Sequence, residues 1–257
     1  MRIRKKYACL PADVNPRRSC RFLRIPVLFF CLLPQSLTLL VTPAYTEDRK
    51  LQREEAQFDI LVGGKKIGQE KYSIAGSGDT ISSNSIVSFR DPGNRRQKVQ
   101  METQLSMDLH YLPQTYQLRT NVDGQKGTIN GRFVPGEATF EYRGAGNPRT
   151  RGLLVGERFI VLDTNVFHHY IFVVRLFDFS TDKSQSLEVV IPQELDGGVL
   201  KIREIGIERL SAGGKKRDLH HLRVDSGLLQ IDLWVDDQQI LYKIALPAKQ
   251  IEVIRTS

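Results

Sequence analysis

Five histidines carry most of the candidate chemistry of this chain: His110, His168, His169, His220 and His221. Four of them form adjacent pairs, so one member of each pair could meet a metal ion, and His168, His169, His220 and His221 are the candidate ligands. Neighbours on a strand point to opposite faces, so His220 and His221 cannot serve one ion from the same side. No His-Glu-x-x-His or His-x-His spacing is present, and the three cysteines, Cys9, Cys20 and Cys31, all lie near the start of the chain. His168 and His169 fall in the first turn of the one helix candidate, where the helix dipole opposes a cation. The plainer alternative is that these are partly exposed polar residues.

Other chemistries find less support. No Gly-x-Ser-x-Gly elbow occurs, and Ser77-Gly78 and Ser226-Gly227 sit in turn contexts. A serine, histidine and acid can be assembled from distant parts of any chain this long, so the residue types alone say little. Asp232 with Glu208 reads as decoration of a solvated face, and Asp236 with Asp237 as a turn. No glycine-rich phosphate loop precedes a helix, and no cofactor is implied. Trp234, the only tryptophan, ends a strand opposite the face of Leu233 and Val235. It could line a ligand cavity or cap the edge of the core.

The elements that must position these residues are strands. From Gln57 onward the dominant signal is a period of two, the mark of half-buried antiparallel strands. Between Lys98 and Tyr111, Val99, Met101, Thr103, Leu105, Met107, Leu109 and Tyr111 share one face, with polar residues on the other. One wet face and one dry face exclude an all-parallel doubly wound sheet. Similar stripes run through Phe58 to Val62, Tyr72 to Ile74, Ile81 to Phe89, Tyr116 to Val122, Ala138 to Tyr142, Leu187 to Ile191, Leu229 to Val235 and Ile240 to Ile244. Asp91-Pro92-Gly93-Asn94, Asp123-Gly124, Pro135-Gly136, Asp196-Gly197-Gly198 and the twice-used Gly-Gly-Lys-Lys at Gly63 and Gly213 supply turns. The long strand from Val199 to Leu210 changes phase near Ile205, which predicts a bulge or bend there.

One segment departs from this pattern. Asn165 to Phe179 offers Asp163, Thr164 and Asn165 as N-cap side chains, then runs apolar on nearly every side. Such a helix must be buried on nearly every side, and the hollow of a curved sheet is the natural place. Its β-branched and aromatic composition leaves a strand as the alternative. The resulting expectation is a mainly β fold: a large curved antiparallel sheet, half-barrel or open barrel, with one buried helix.

Charge divides the chain. Residues 1–44 hold eight basic residues and one acid, whereas Tyr45 to Ser257 holds 29 basic and 28 acidic residues, although the whole chain is +8. The apolar run from Ile25 to Val41, interrupted by Pro26 and Pro34, is followed by Thr42 and Ala44, small residues at the positions a signal peptidase inspects. A helix of that length spans roughly 25 Å, short of the hydrocarbon core. The expected organisation is therefore a signal peptide over 1–44 cleaved near Ala44, a linker over 45–56 and a single domain over 57–257. An uncleaved N-terminal anchor is the alternative. The protein is expected to be exported, periplasmic or extracellular. The remaining body is nearly neutral, which argues against nucleic acid as a partner. Arg95-Arg96-x-Lys98 and Lys215-Lys216-Arg217 read as solvated tips, with anionic lipid headgroups as the alternative contact.

Phe58-x-Ile60, Gly64-x-x-Ile67-Gly68, Leu222-x-Val224 and Leu233-Trp234-Val235-Asp236-Asp237, with Pro247 and Arg255, carry a resemblance. The chain resembles a broad group of bacterial envelope proteins with a signal peptide and a large antiparallel sheet. In outline that sheet is similar to the lipoprotein-carrier proteins of the periplasm, in which a curved half-barrel shelters acyl chains. The fully apolar helix candidate beside a long one-sided sheet leads to the expectation of an exported, non-catalytic envelope protein that binds an apolar or lipid-like ligand, or a lipid surface, in the hollow of its sheet. Phe167, Tyr170, Val174, Phe177 and Trp234 are the lining candidates. Two other readings are a structural or assembly factor that engages another envelope protein, for instance by edge-strand addition, and a histidine-dependent metal hydrolase.

Overall fold

The structure, a computed structural model, describes residues 53–94, 96–181 and 184–256. The expected signal peptide, and the linker up to residue 52, lie outside the described residues. Among the described residues, fifteen strands follow in chain order. They are β1 (Glu54–Val62), β2 (Lys65–Ser77), β3 (Thr80–Arg90), β4 (Lys98–Asp108), β5 (Pro113–Val122), β6 (Gln125–Val134), β7 (Glu137–Arg143) and β8 (Arg149–Leu154). Then come β9 (Phe159–Val161), β10 (Gln185–Ile191), β11 (Asp196–Ala212), β12 (Lys215–Asp225), β13 (Gln230–Val235), β14 (Leu241–Leu246) and β15 (Ile251–Arg255). Between β9 and β10 lie a 3-10 turn (Phe167–His169) and the helix α1 (Tyr170–Leu176).

All fifteen strands join one sheet in the order β8-β7-β6-β5-β4-β3-β2-β1-β15-β14-β13-β12-β11-β10-β9. Two meanders thus meet where the first strand pairs with the last, Phe58 opposite Arg255 and Val62 opposite Ile251. Pairing is antiparallel except between β9 and β10. The connection between the two outermost strands fixes the shape. Laid flat, fourteen strand spacings would separate β8 from β9 by about 67 Å. Only Val155 to Arg158 join them, and five peptide steps reach at most about 18 Å. The sheet must therefore curl until its edges approach each other, as a mainly β, barrel-like sheet that does not close.

The period of two decides what faces the hollow. Phe58, Ile60, Tyr72, Ile74, Ile81, Val87, Met101, Leu105, Tyr116, Leu118 and Phe140 belong to one continuous core with α1. The predicted phase change in β11 is present: the register with β12 shifts between Glu204 and Gly206, and Gly206 has φ +149, a conformation that favours glycine. Gly68, in the Gly64-x-x-Ile67-Gly68 signature, has a steric reason. A Cβ there would stand 2.3 Å from the carbonyl oxygen of Ser88.

Four local expectations need correction. β1 takes in Glu54 to Ala56, placed in the linker by their charge, because Glu54 is anchored on Tyr72, Arg175 and Arg255. Asp196-Gly197-Gly198 is not a turn but the start of β11; Pro192 to Leu195 turns the chain, with Leu195 at φ +54. β8 was not anticipated, since Arg-Thr-Arg-Gly-Leu-Leu has no alternation to reveal it. The expected helix over Asn165–Phe179 is shorter at both ends: Asn165 has φ +61 and Phe177 is extended at ψ 127, so the α-helical part is seven residues long.

Candidate functional site

The helical segment fills the hollow. Val166, Phe167, Ile171, Phe172, Val173, Val174 and Phe177 are all buried in the core, and Tyr170 packs against it. The side chains expected to line a ligand space are thus the packing of the interior itself. Trp234 does not join them. It lies on the outer face of β13 with Ala212, Leu219, Tyr242 and Ala245, in a separate small cluster.

Glu70 holds the plug in place. It shares the inner face of β2 with Tyr72 and Ile74, and it has no exposed surface. One carboxylate oxygen accepts the backbone N–H groups of Phe167 at 2.9 Å and His168 at 3.1 Å. The other lies 2.6 Å from His168 Nδ1, and His168 Nε2 lies 2.8 Å from the Ser83 hydroxyl. With Nδ1 donating to Glu70, Nε2 is left to accept from Ser83. Tyr72 stacks on the His168 ring, with centroids 5.5 Å apart. The expected cap from Asp163, Thr164 or Asn165 is absent, since the residue preceding the 3-10 turn is Val166 and caps nothing with its side chain. The sheet supplies the cap instead.

Asp163 serves a second buried network. Its carboxylate accepts the Tyr116 hydroxyl at 2.6 Å and the N–H groups of Thr164 at 2.9 Å and Gln193 at 3.0 Å. Burial pushes the Asp163 carboxyl above its ordinary value, although these donors oppose the shift. The backbone N–H of Asp163 donates to His169 Nδ1 at 3.3 Å, so the ring proton sits on Nε2, which is buried with no hydrogen-bond partner. Burial, reinforced by His168 beside it, holds His169 well below the ordinary histidine value.

The lower end of the plug is tied as well. Glu54 accepts from Tyr72, Arg175 and Arg255. Burial would raise its carboxyl, but Arg255, Tyr72 and Arg175 outweigh that, and the net shift is downward.

Serine, imidazole and carboxylate thus stand in hydrogen-bonding order, the order of an acyl-transfer triad. Ser83, His168 and Glu70 are each 0% exposed. The imidazole also rides on the plug, so withdrawing the plug to admit a substrate would dismantle the array. Chemically, the arrangement satisfies a buried carboxylate and orients a helix.

The second histidine pair is divided by the sheet, as strand geometry requires. His220 faces inward, its Nδ1 2.6 Å from Glu204 and its Nε2 3.0 Å from Asp237, with Phe179 edge-on at 5.1 Å. Burial draws its pKa down, but Glu204 and Asp237 outweigh burial and raise it. His221 faces outward, between Glu208 at 2.7 Å and Asp232 at 2.9 Å, stacked on Trp234 at 4.7 Å. Trp234 Nε1 donates to Glu208 at 3.0 Å, and Arg223 donates to Asp232 at 2.8 Å. Glu208 and Asp232 are therefore partners of one imidazole rather than mere decoration.

Neither pair meets the other, and the ring nitrogens of three of the four histidines are already engaged by protein groups. Among the described residues, no group of three or more His, Cys, Asp or Glu side chains is arranged to hold a metal ion. His168 and His169 also depart from the partly exposed reading: both are fully buried, because the segment that carries them is the core. Glu70, Ser83, Asp163 and Tyr116 were not singled out as site residues. Glu70 and Ser83 did carry a signal, since each is a polar residue in phase with an apolar stripe.

Grooves occur elsewhere on the described surface. The outer face of β3 to β7 holds one of about 880 Å³, lined by Asn84, Gln104, Gln117 and Asn130 among others. Others of about 510, 410 and 330 Å³ lie over β2 to β5, at the β3–β4 and β5–β6 turns, and beside the β7–β8 loop. None of the four is lined by a residue of 165–179. Among the described residues, no helix is long and apolar enough to cross a membrane.

No family model matches the chain, and no curated protein does. Among solved structures, it is similar to a β-barrel-like protein of the domain of unknown function DUF1849 from Brucella abortus. The TM-score is 0.55 at 11% identity, over 79% of this chain and 94% of that one. A DUF1089 family protein from Pseudomonas aeruginosa is more distant, with TM-score 0.43, 11% identity and 70% and 90% coverage. The first likeness identifies the fold class, a β-barrel-like sheet.

Proposed function

We propose that this chain is an exported, non-catalytic protein of the cell envelope that acts through its surface by engaging another envelope protein. The observation that carries this reading is the plug. The space where a lipid carrier would hold an acyl chain is filled by the protein's own segment from Val166 to Phe177, tied to the sheet through Glu70 and Glu54. Export rests on the basic, apolar leader and the nearly neutral body behind it. The non-catalytic reading is supported by the complete burial of the Ser83–His168–Glu70 array.

The test is photo-crosslinking in intact cells, paired with organic extraction of the purified protein. A discrete protein adduct with no stoichiometric lipid is expected. An acyl lipid recovered at one equivalent per chain would overturn the proposal and restore the lipid-carrier reading.

A further inference from the structure

Resting on that partner-binding reading, the geometry points to the free edge of β8 as the docking site, where an extended acidic segment of another polypeptide adds as one more antiparallel strand. The two ends of the sheet are not equivalent. β9, at one end, is buried in all three residues, and the Phe159 ring lies 5.6 Å from that of Phe133. β8, at the other, has no buried residue, and among the described residues no strand pairs with its outer side. Its unpaired N–H and C=O groups form a template for strand addition.

Side chains define what the template accepts. Arg149 and Arg151 lie opposite Tyr142 and Phe140 in the register, hence on one face of the strand. Arg143, at the end of β7, lies on the opposite face and is ion-paired with Glu141 at 3.7 Å, so the positive charge on this face rests on Arg149 and Arg151. No acidic residue occurs from Tyr142 to Val155. Positive charge alone could serve only to keep copies of this chain apart. The lower end of β8 lacks that protection, however: it is Gly152-Leu153-Leu154, and Leu154 is 93% exposed. A strand basic at one end and apolar at the other is complementary to a segment with the reverse pattern. Antiparallel pairing places that segment's apolar residues first and its acidic residues last.

The probe is a synthetic octapeptide, valine and leucine in its first half and alternating valine and glutamate in its second. Binding to the full chain is followed through backbone amide NMR shifts. The peptide is expected to move the amides of β8 and β7. Arg149→Glu with Arg151→Glu should weaken it at least tenfold, and exchanging its glutamates for lysine should restore binding to that variant. N-methylation of alternate peptide residues, in both phases, should abolish binding in one phase. Circular dichroism confirms that the double variant, changed only at exposed positions, remains folded. Shifts confined to other strands would overturn the proposal. So would N-methylated peptides that bind as well as the parent, which would indicate charge attraction without pairing. Anionic vesicles that move the same amides when the peptide does not would overturn it in favour of a lipid surface. Cross-links in cells through other faces, with no peptide binding at β8, would sink this site and leave the partner-binding reading intact.

Discussion

Two adjacent histidine pairs, identical on paper, meet opposite fates in this molecule. His168 and His169 sit on a segment wholly enclosed by the sheet. Both rings are therefore buried, and their environment is set by what the hollow offers: Glu70, Ser83 and the Asp163 backbone. His220 and His221 sit on a strand, so the sheet itself separates them, one toward Glu204 and Asp237, the other toward Glu208, Asp232 and Trp234. Residue type suggested metal chemistry for both pairs; the element carrying each pair instead gives its rings protein partners. A buried polar group must be matched inside the protein, whereas a surface one retains water as a partner. His221 is buried as well, so the contrast is sharpest between the enclosed pair and the part-exposed His220.

The largest effect belongs to Glu70. Glu70→Ala strands two backbone N–H groups and the His168 ring in the core and should cost about 3–5 kcal/mol, judged by buried pairs that lose one member. Urea unfolding measures it, and a loss below 1 kcal/mol would end the claim that Glu70 secures the plug. On the outer face, Trp234→Ala removes the platform of His221 and the centre of a small cluster. Large-to-small changes of an aromatic residue in a core run to about 3–5 kcal/mol, and this partly wet site should fall near the low end. The two sites share no partner, so the double variant should equal the sum within about 0.5 kcal/mol. A larger discrepancy would show that the outer cluster and the plug are coupled through the sheet.

How much of this was legible in the sequence follows from the range of each signal. Period-two stripes are local, and they revealed the sheet, its dry face and the bulge at Gly206. Greasiness on all sides is also local, and it placed the helical segment inside. The Glu70 cap is not local: it joins residues 97 and 98 positions apart, and the only hint was a carboxylate in phase with Tyr72 and Ile74. β8 escaped for the reverse reason. Only Leu153 is even partly buried, so there is no continuous buried side to impose alternation. Trp234 was placed by its strand phase, but phase gave only a face. Leu219 and Tyr242, which cluster beside it, come from neighbouring strands whose register needs the fold.

A smaller effect tests whether the hydroxyl of the buried array is structural. Ser83→Ala leaves His168 Nε2 without its partner and should cost about 1–2 kcal/mol while leaving partner capture in cells unchanged. An activity on ester substrates that disappears in this variant, with stability unaltered, would reverse the assignment.

The finest test uses pH, because His169 and His220 respond with opposite signs. His169 has a folded pKa well below its unfolded value near 6.5, so the unfolded chain binds more protons and stability drains away as pH falls through about 6.5. His220 has a raised folded pKa. Its contribution is fully present below the unfolded value and disappears as pH rises through the folded one. Asp163, also raised, favours the folded state at low pH and acts against His169 there, so total stability profiles do not isolate either ring. Differences from the wild type do. Measured by urea unfolding between pH 5 and 8, His169→Phe should lose the acid-side decline attributable to that ring, and the variant should gain on the wild type as pH falls. His220→Gln should do the reverse, trailing the wild type most at low pH and converging with it on the alkaline side. Parallel difference curves for the two variants would mean that enclosure by the sheet does not distinguish the two pairs.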